Sequence, residues 1–74
     1  MTVNIRLFAT FRIDRFAEKK IDYAPGTSVS SVIEELGIPE SQIGMIMLNS
    51  RHVEPHHPLR EGDSLAIFPL VGGG

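Results

Sequence analysis

The residues best placed to do chemistry are the last three. Gly72, Gly73 and Gly74 follow Val71, directly after a strand-like run from Leu65 to Leu70. Glycine has no side chain to pack and the most backbone freedom to lose, so it closes a folded domain poorly. Three in a row make a thin thread ending in a carboxylate. Such a thread fits a narrow channel in which any Cβ would clash. The Gly74 carboxyl group is then the functional group. A frayed terminus has the same composition, so the rest of the chain has to decide between the two.

Other chemistry-bearing residues form weaker patterns. His52, His56 and His57 lie around Pro55 and Pro58. They lack cysteines and ordered ligand spacing, so solvated or turn-stabilising histidines are expected rather than zinc ligands. Glu34 and Glu35 belong to a solvated helix face, because acid/base work needs a pocket that shifts a pKa. Lys19 and Lys20 suit protection of an edge strand. No metal site is expected. There is no cysteine, so no disulfide framework can form and no side-chain thiol is available. A reduced compartment, the cytoplasm, is the expected location.

The chain has 74 residues, of which 42% are hydrophobic and 22% charged. That describes one small globular domain with little room for an enclosed active site. The net charge of −2 comes without a basic cluster, which argues against nucleic acid or anionic membrane as the main partner. Apolar runs are too short to span a bilayer, and Met1 to Arg6 carries no signal-peptide pattern.

The elements that must hold the tail follow from periodicity. Thr2 to Phe8 alternates, with Val3, Ile5 and Leu7 on one face and Phe8 on the other. Ala9 to Ala17 reads as irregular, with a short helical turn. A second strand covers Glu18 to Ala24, and Pro25-Gly26 turns the chain. Ser28 caps a helix whose Val29, Val32, Ile33 and Leu36 make one apolar stripe; Gly37 closes it and Pro39 blocks its continuation. Gly44 to Asn49 is a third strand, with Met45 and Met47 opposite Ile46 and Leu48. His52 to Glu54 is a short fourth strand. Ser64 to Leu70 is the last, with Ala66, Phe68 and Leu70 opposite Leu65 and Ile67. One helix stripe covers one face of one mixed five-stranded sheet, a two-layer α+β solution. The expected architecture is a β-grasp, ubiquitin-like domain over residues 1–70 with a flexible glycine tail at 71–74. The expected core is Val3, Ile5, Leu7, Ile21, Val29, Val32, Ile33, Leu36, Ile46, Leu48, Leu65 and Ile67. Strand parity leaves Phe8, Met47, Ala66 and Phe68 on the face without a helix. An apolar patch there implies a partner.

Four segments together resemble a known family. They are Leu7-Phe8-Ala9-Thr10-Phe11-Arg12, Leu48-Asn49-Ser50, the turn His57-Pro58-Leu59-Arg60-Glu61-Gly62-Asp63, and the ending Ile67-Phe68-Pro69-Leu70-Val71-Gly72-Gly73-Gly74. They are similar to the corresponding pieces of the MoaD/ThiS-type ubiquitin-like sulfur carriers, with Phe68-Pro69 and the first segment pointing to MoaD, the small subunit of molybdopterin synthase. Leu70 stands where a second proline is usual. The third glycine is a ThiS-like feature.

The resemblance implies a mechanism. A MoeB/ThiF-like enzyme uses ATP and Mg to adenylate the Gly74 carboxylate, and a sulfur donor protein converts the acyl-adenylate to a thiocarboxylate. The loaded tail, with Gly72 and Gly73, enters a MoaE-like large subunit, where sulfur passes to a pterin precursor. A carboxylate is a poor electrophile, adenylation supplies a leaving group, and glycine leaves the acyl carbon unhindered. The partners supply the catalytic groups, so no tightly bound cofactor is expected. The expected partner-binding residues are Phe8, Arg12, Met47, Leu59, Phe68, Leu70 and Val71. For Arg12, a local surface ion pair is an equal alternative. A ThiS-type role in thiamin thiazole synthesis, a modifier that joins Gly74 to a lysine, and an interaction domain with an inert tail remain open.

Overall fold

The computed structural model describes residues 1–71. The strands are β1 (Thr2–Leu7), β2 (Glu18–Asp22), β3 (Ile43–Leu48), β4 (Arg51–His52) and β5 (Ser64–Pro69), and the helix is α1 (Val29–Glu35). Single 3-10 turns occupy Ala9–Arg12 and Glu40–Gln42. The sheet order is β2-β1-β5-β3-β4. β1 and β5 run parallel at its centre, while the other neighbours pair antiparallel. This is the expected α+β β-grasp. The first and last strands end one residue, and the second two residues, before their sequence-based bounds, while the third and fourth begin one residue earlier and end one or two residues earlier.

α1 forms where the sequence places it. Ser28 has extended backbone, and its hydroxyl accepts from the Ser31 amide at 3.3 Å, a cap contributing about 1 kcal/mol. The amides of Val29 and Ser30 donate to the carbonyls of His57 and Pro55 at 3.0 and 2.6 Å. The histidine-proline segment is thus the loop that satisfies the helix N-terminus. At the other end Gly37 adopts φ +72°. Arg15 donates there to the carbonyls of Leu36 (2.9 Å) and Gly37 (3.2 Å), and a cation suits that negative end.

Val3, Ile5, Leu7, Val29, Val32, Ile33, Leu65 and Ile67 are the fully buried side chains, with Ile46 and Leu48 beside them. Two expected core residues, Ile21 and Leu36, are only partly buried. β2 is an edge strand and Leu36 is the helix C-cap, so each has packing on fewer sides. Phe11, Tyr23, Ile38 and Leu59 complete the core. Lys19 and Lys20 are exposed on the β2 edge, as expected. Among the described residues no helix is long and apolar enough to cross a membrane.

Tyr23 gives a pH prediction. Its phenol is buried without a sound hydrogen-bond partner among the described residues. Burial first, and the Glu35 carboxylate second, push its pKa up from 10.0 to about 12. The fold therefore prefers the protonated phenol. That stabilisation is complete below pH 10.0 and is lost as pH rises toward about 12. Tyr23 is the only tyrosine and there is no tryptophan, so tyrosinate absorbance reads this group alone. The folded chain is expected to titrate well above the urea-unfolded chain. The melting temperature should fall more steeply above pH 10.0 in wild type than in Tyr23→Phe; parallel curves would contradict the assignment.

Candidate functional site

The site lies on the sheet face that α1 does not cover. β1 ends at Leu7, and Phe8 continues it with φ −127° and ψ 151°. Ala9 then turns the chain at φ +51°, a left-handed conformation that costs a non-glycine residue on the order of 1 kcal/mol. The Phe8 ring is left flat on the Phe68 ring, with centroids 4.2 Å apart and planes at 10°. The guanidinium carbons of Arg6 and Arg12 each lie 5.4 Å from the Phe8 centroid. Arg12 also donates through Nε to the Leu7 carbonyl at 2.7 Å. Among the described residues it forms no ion pair; it braces the aromatic stack. On the other side Met45 pairs with Phe68 and Met47 with Ala66 in the β3–β5 ladder.

The stack borders the exit of the chain. An open groove of about 470 Å³ is lined by Phe8, Gly44, Met45, Phe68, Pro69 and Leu70, among others. Leu70 and Val71 are 65% and 91% exposed. β5 thus delivers the chain from the sheet centre to the rim of an apolar surface.

Phe8, Met47 and Phe68 are therefore brought together, and Leu70 and Val71 adjoin them at the rim. Leu59 is a correction. It is 4% exposed and belongs to the core. Its amide donates to the Thr27 carbonyl at 2.9 Å, and Ser28 bridges Pro58, which draws Leu59 beneath the start of α1. It packs the domain and offers no surface to a partner. Gly72, Gly73 and Gly74 lie outside the described residues. Met45 and Gly44 join the site although neither was expected there. Met45 was legible from the same parity that exposes Met47. Gly44 depends on a register shift that periodicity does not carry.

The family turns have structural work. Asn49 donates through Nδ2 to Asp63 Oδ1 at 2.9 Å, and its Oδ1 accepts from the Ser64 amide at 2.9 Å. Asp63 Oδ2 accepts from the Arg60 amide at 2.8 Å. Asp63 is the one polar residue buried among the described residues, and its carbonyl accepts from Asn4 at 2.9 Å. These bonds fix the start of β5 against β1 and β3, and hence the direction in which β5 carries the tail. Among the described residues no group of three or more His, Cys, Asp or Glu side chains could hold a metal ion.

Comparison with known proteins agrees with this geometry. The ThiS family model matches residues 5–74. No curated protein matches the chain. Among solved structures, a Pyrococcus furiosus chain described as a candidate molybdopterin converting factor, subunit 1, is 28% identical. The match covers 96% of this chain and 99% of that one, with a TM-score of 0.76. SAMP1 from Haloferax volcanii is 19% identical over 100% of both chains, with a TM-score of 0.78. A chain from the complex of subunits 1 and 2 of the Helicobacter pylori molybdopterin-converting factor is 22% identical over 100% of both, with a TM-score of 0.68. The last two likenesses speak for the fold. The match to the family model spans both the aromatic stack and the glycine ending, and the chain belongs to the ThiS family, within the ubiquitin-like sulfur-carrier and modifier superfamily.

Proposed function

We propose that this chain is a sulfur carrier acting as the small subunit of a molybdopterin-synthase-like complex. The observation that carries the reading is the Phe8–Phe68 stack beside the point where Leu70 and Val71 leave the sheet. A partner seated on the stack receives the tail in the same encounter. The Gly74 carboxylate oxygen attacks the α-phosphorus of MgATP and releases pyrophosphate. The outer sulfur of a donor-protein persulfide then displaces AMP to give an acyl disulfide, and a thiol cleaves its S–S bond, leaving a thiocarboxylate on Gly74 and a disulfide on the donor cysteine. The adenylating enzyme and the large subunit use the same aromatic surface in turn. The 28% identical Pyrococcus furiosus chain supports the molybdopterin assignment. The third glycine and the ThiS family match support a thiazole-pathway carrier as the second reading. Both need the same chemistry at Gly74 and differ in the sulfur acceptor. A protein-conjugating modifier would instead leave lysine-linked adducts, which immunoblotting of cells detects.

Phe68→Ala tests the docking surface. An aromatic anchor at an interface centre contributes about 2 kcal/mol or more, so affinity for the adenylating enzyme should fall roughly 30-fold. The fold loses one half-buried ring, about 1 kcal/mol of stacking and about 1 kcal/mol of apolar burial, so the melting temperature should fall by roughly 8–16 °C. Calorimetry with the purified partner reads both. Unchanged affinity of the folded variant would remove the stack from the interface.

A further inference from the structure

The carrier reading says what the tail does; the structure also shows what holds its base. β3 and β5 pair in regular antiparallel register from Leu48↔Leu65 to Met45↔Phe68, and then the register shifts, so that Ile43 faces Pro69. Gly44 is the extra residue of this bulge. Pro69 has no N–H to give. The next donor, the Leu70 amide, reaches the Gln42 carbonyl at 2.9 Å. This bond forms only because Pro69 lies directly over Gly44. A Cβ at Gly44 would stand 2.7 Å from the Pro69 carbonyl oxygen, 3.0 Å from its carbon and 3.1 Å from Leu70 Cα. All three atoms are backbone, so no side chain can swing away. Beyond Leu70 the exposure rises to 91% at Val71. The Gln42–Leu70 bond is therefore the last backbone hydrogen bond given to the chain before the glycines, among the described residues.

We infer that Gly44 is a positioning residue for the activation of Gly74: its missing Cβ lets the Gln42 carbonyl clamp the Leu70 amide and set the direction in which the tail leaves. This rests on the carrier reading. The clamp sits on the rim of the groove beside the Phe8–Phe68 stack. A partner docked on the stack thus meets a tail of fixed origin. Adding a Cβ at Gly44 must open the Pro69 contact by about 0.7 Å to reach an ordinary 3.4 Å separation. The strand end is free to move outward, because Leu70 and Val71 are exposed. The core, by contrast, makes no demand on Gly44.

The test uses the full chain and Gly44→Ala. In wild type, amide hydrogen exchange by NMR should show Leu70 protected and Val71 unprotected. In Gly44→Ala, protection at Leu70 should be lost while that of Met47 and Ile67, inside the β3–β5 and β1–β5 ladders, persists. Loading with sulfur by an adenylating enzyme that accepts the wild-type chain should slow between about 10- and 100-fold in kcat, the cost of a sub-ångström to ångström misplacement. KM should stay within about two-fold, because the docking stack is intact. A variant that was merely unstable would lose protection throughout the sheet. A Leu70 amide as unprotected as Val71 in wild type overturns the clamp, whether or not the variant folds. Equal loading of wild type and Gly44→Ala overturns the positioning role while leaving the carrier reading in place. Failure of the wild type itself to load overturns the carrier reading, and the role of Gly44 with it.

Discussion

Deletion of Gly73 and Gly74 should abolish ATP-dependent sulfur loading while leaving the melting temperature nearly unchanged. The two residues carry no side chains, and the described chain is already 91% exposed at Val71. The core is built entirely from other residues, Val3 to Ile67. The deletion draws the terminal carboxylate back by two residues. A fully extended residue spans at most about 3.3–3.6 Å, so the acyl carbon retreats on the order of 7 Å. Even about 1 Å of misplacement can cost roughly 100-fold in rate, so loading should fall below detection. Adding one residue after Gly74 should block loading as well, because the acyl carbon is then locked in a peptide bond. A truncated chain that loads like the full one would show that Gly74 is not the sulfur site.

Asp63→Ala should be the most damaging change to the domain outside its apolar core. The carboxylate accepts from the Asn49 side chain and the Arg60 amide at 2.9 and 2.8 Å. Removing it breaks two hydrogen bonds to a charged group that is only 9% exposed. Each lost partner costs about 1–3 kcal/mol, together on the order of 3 kcal/mol. In a domain of this size about 1 kcal/mol shifts the melting temperature by roughly 4–8 °C, so a fall of roughly 12–24 °C is expected. Asp63→Asn keeps one acceptor oxygen and should lie between. Thermal unfolding by circular dichroism decides; a fall of less than about 4 °C in Asp63→Ala would mean that Asn49 and Arg60 find other partners.

These two changes separate the halves of the molecule, and the halves were unequally legible in the sequence. Strict alternation in β1 and β5 placed Val3, Ile5, Leu7, Leu65 and Ile67 in the core and Phe8 and Phe68 opposite, because the strand period of two leaves no other arrangement. Ser28 and Gly37 marked the helix because each end needs a residue of that kind. Periodicity said nothing where there was none. Phe11 sits in a single 3-10 turn and Ile38 follows the helix cap, yet both are buried. Leu59 was read as a partner contact and proved to be core. Its burial comes from its own backbone bond to Thr27 and the bridge of its neighbour Pro58 to Ser28, both far away in sequence. The bulge at Gly44 belongs to the same class, since it exists only in the pairing of β3 with Pro69.

In the function proposed above, the aromatic stack, the clamp and the Asp63 network share one task, which is to present the glycine ending to a partner from a fixed place. The most direct test of that account is the intact mass of the full-length chain after incubation with MgATP, an active adenylating enzyme and a sulfur donor. The account predicts replacement of one oxygen by sulfur, located at Gly74 by fragmentation and absent without ATP. An unchanged mass, with an enzyme that loads another carrier in the same mixture, would contradict it.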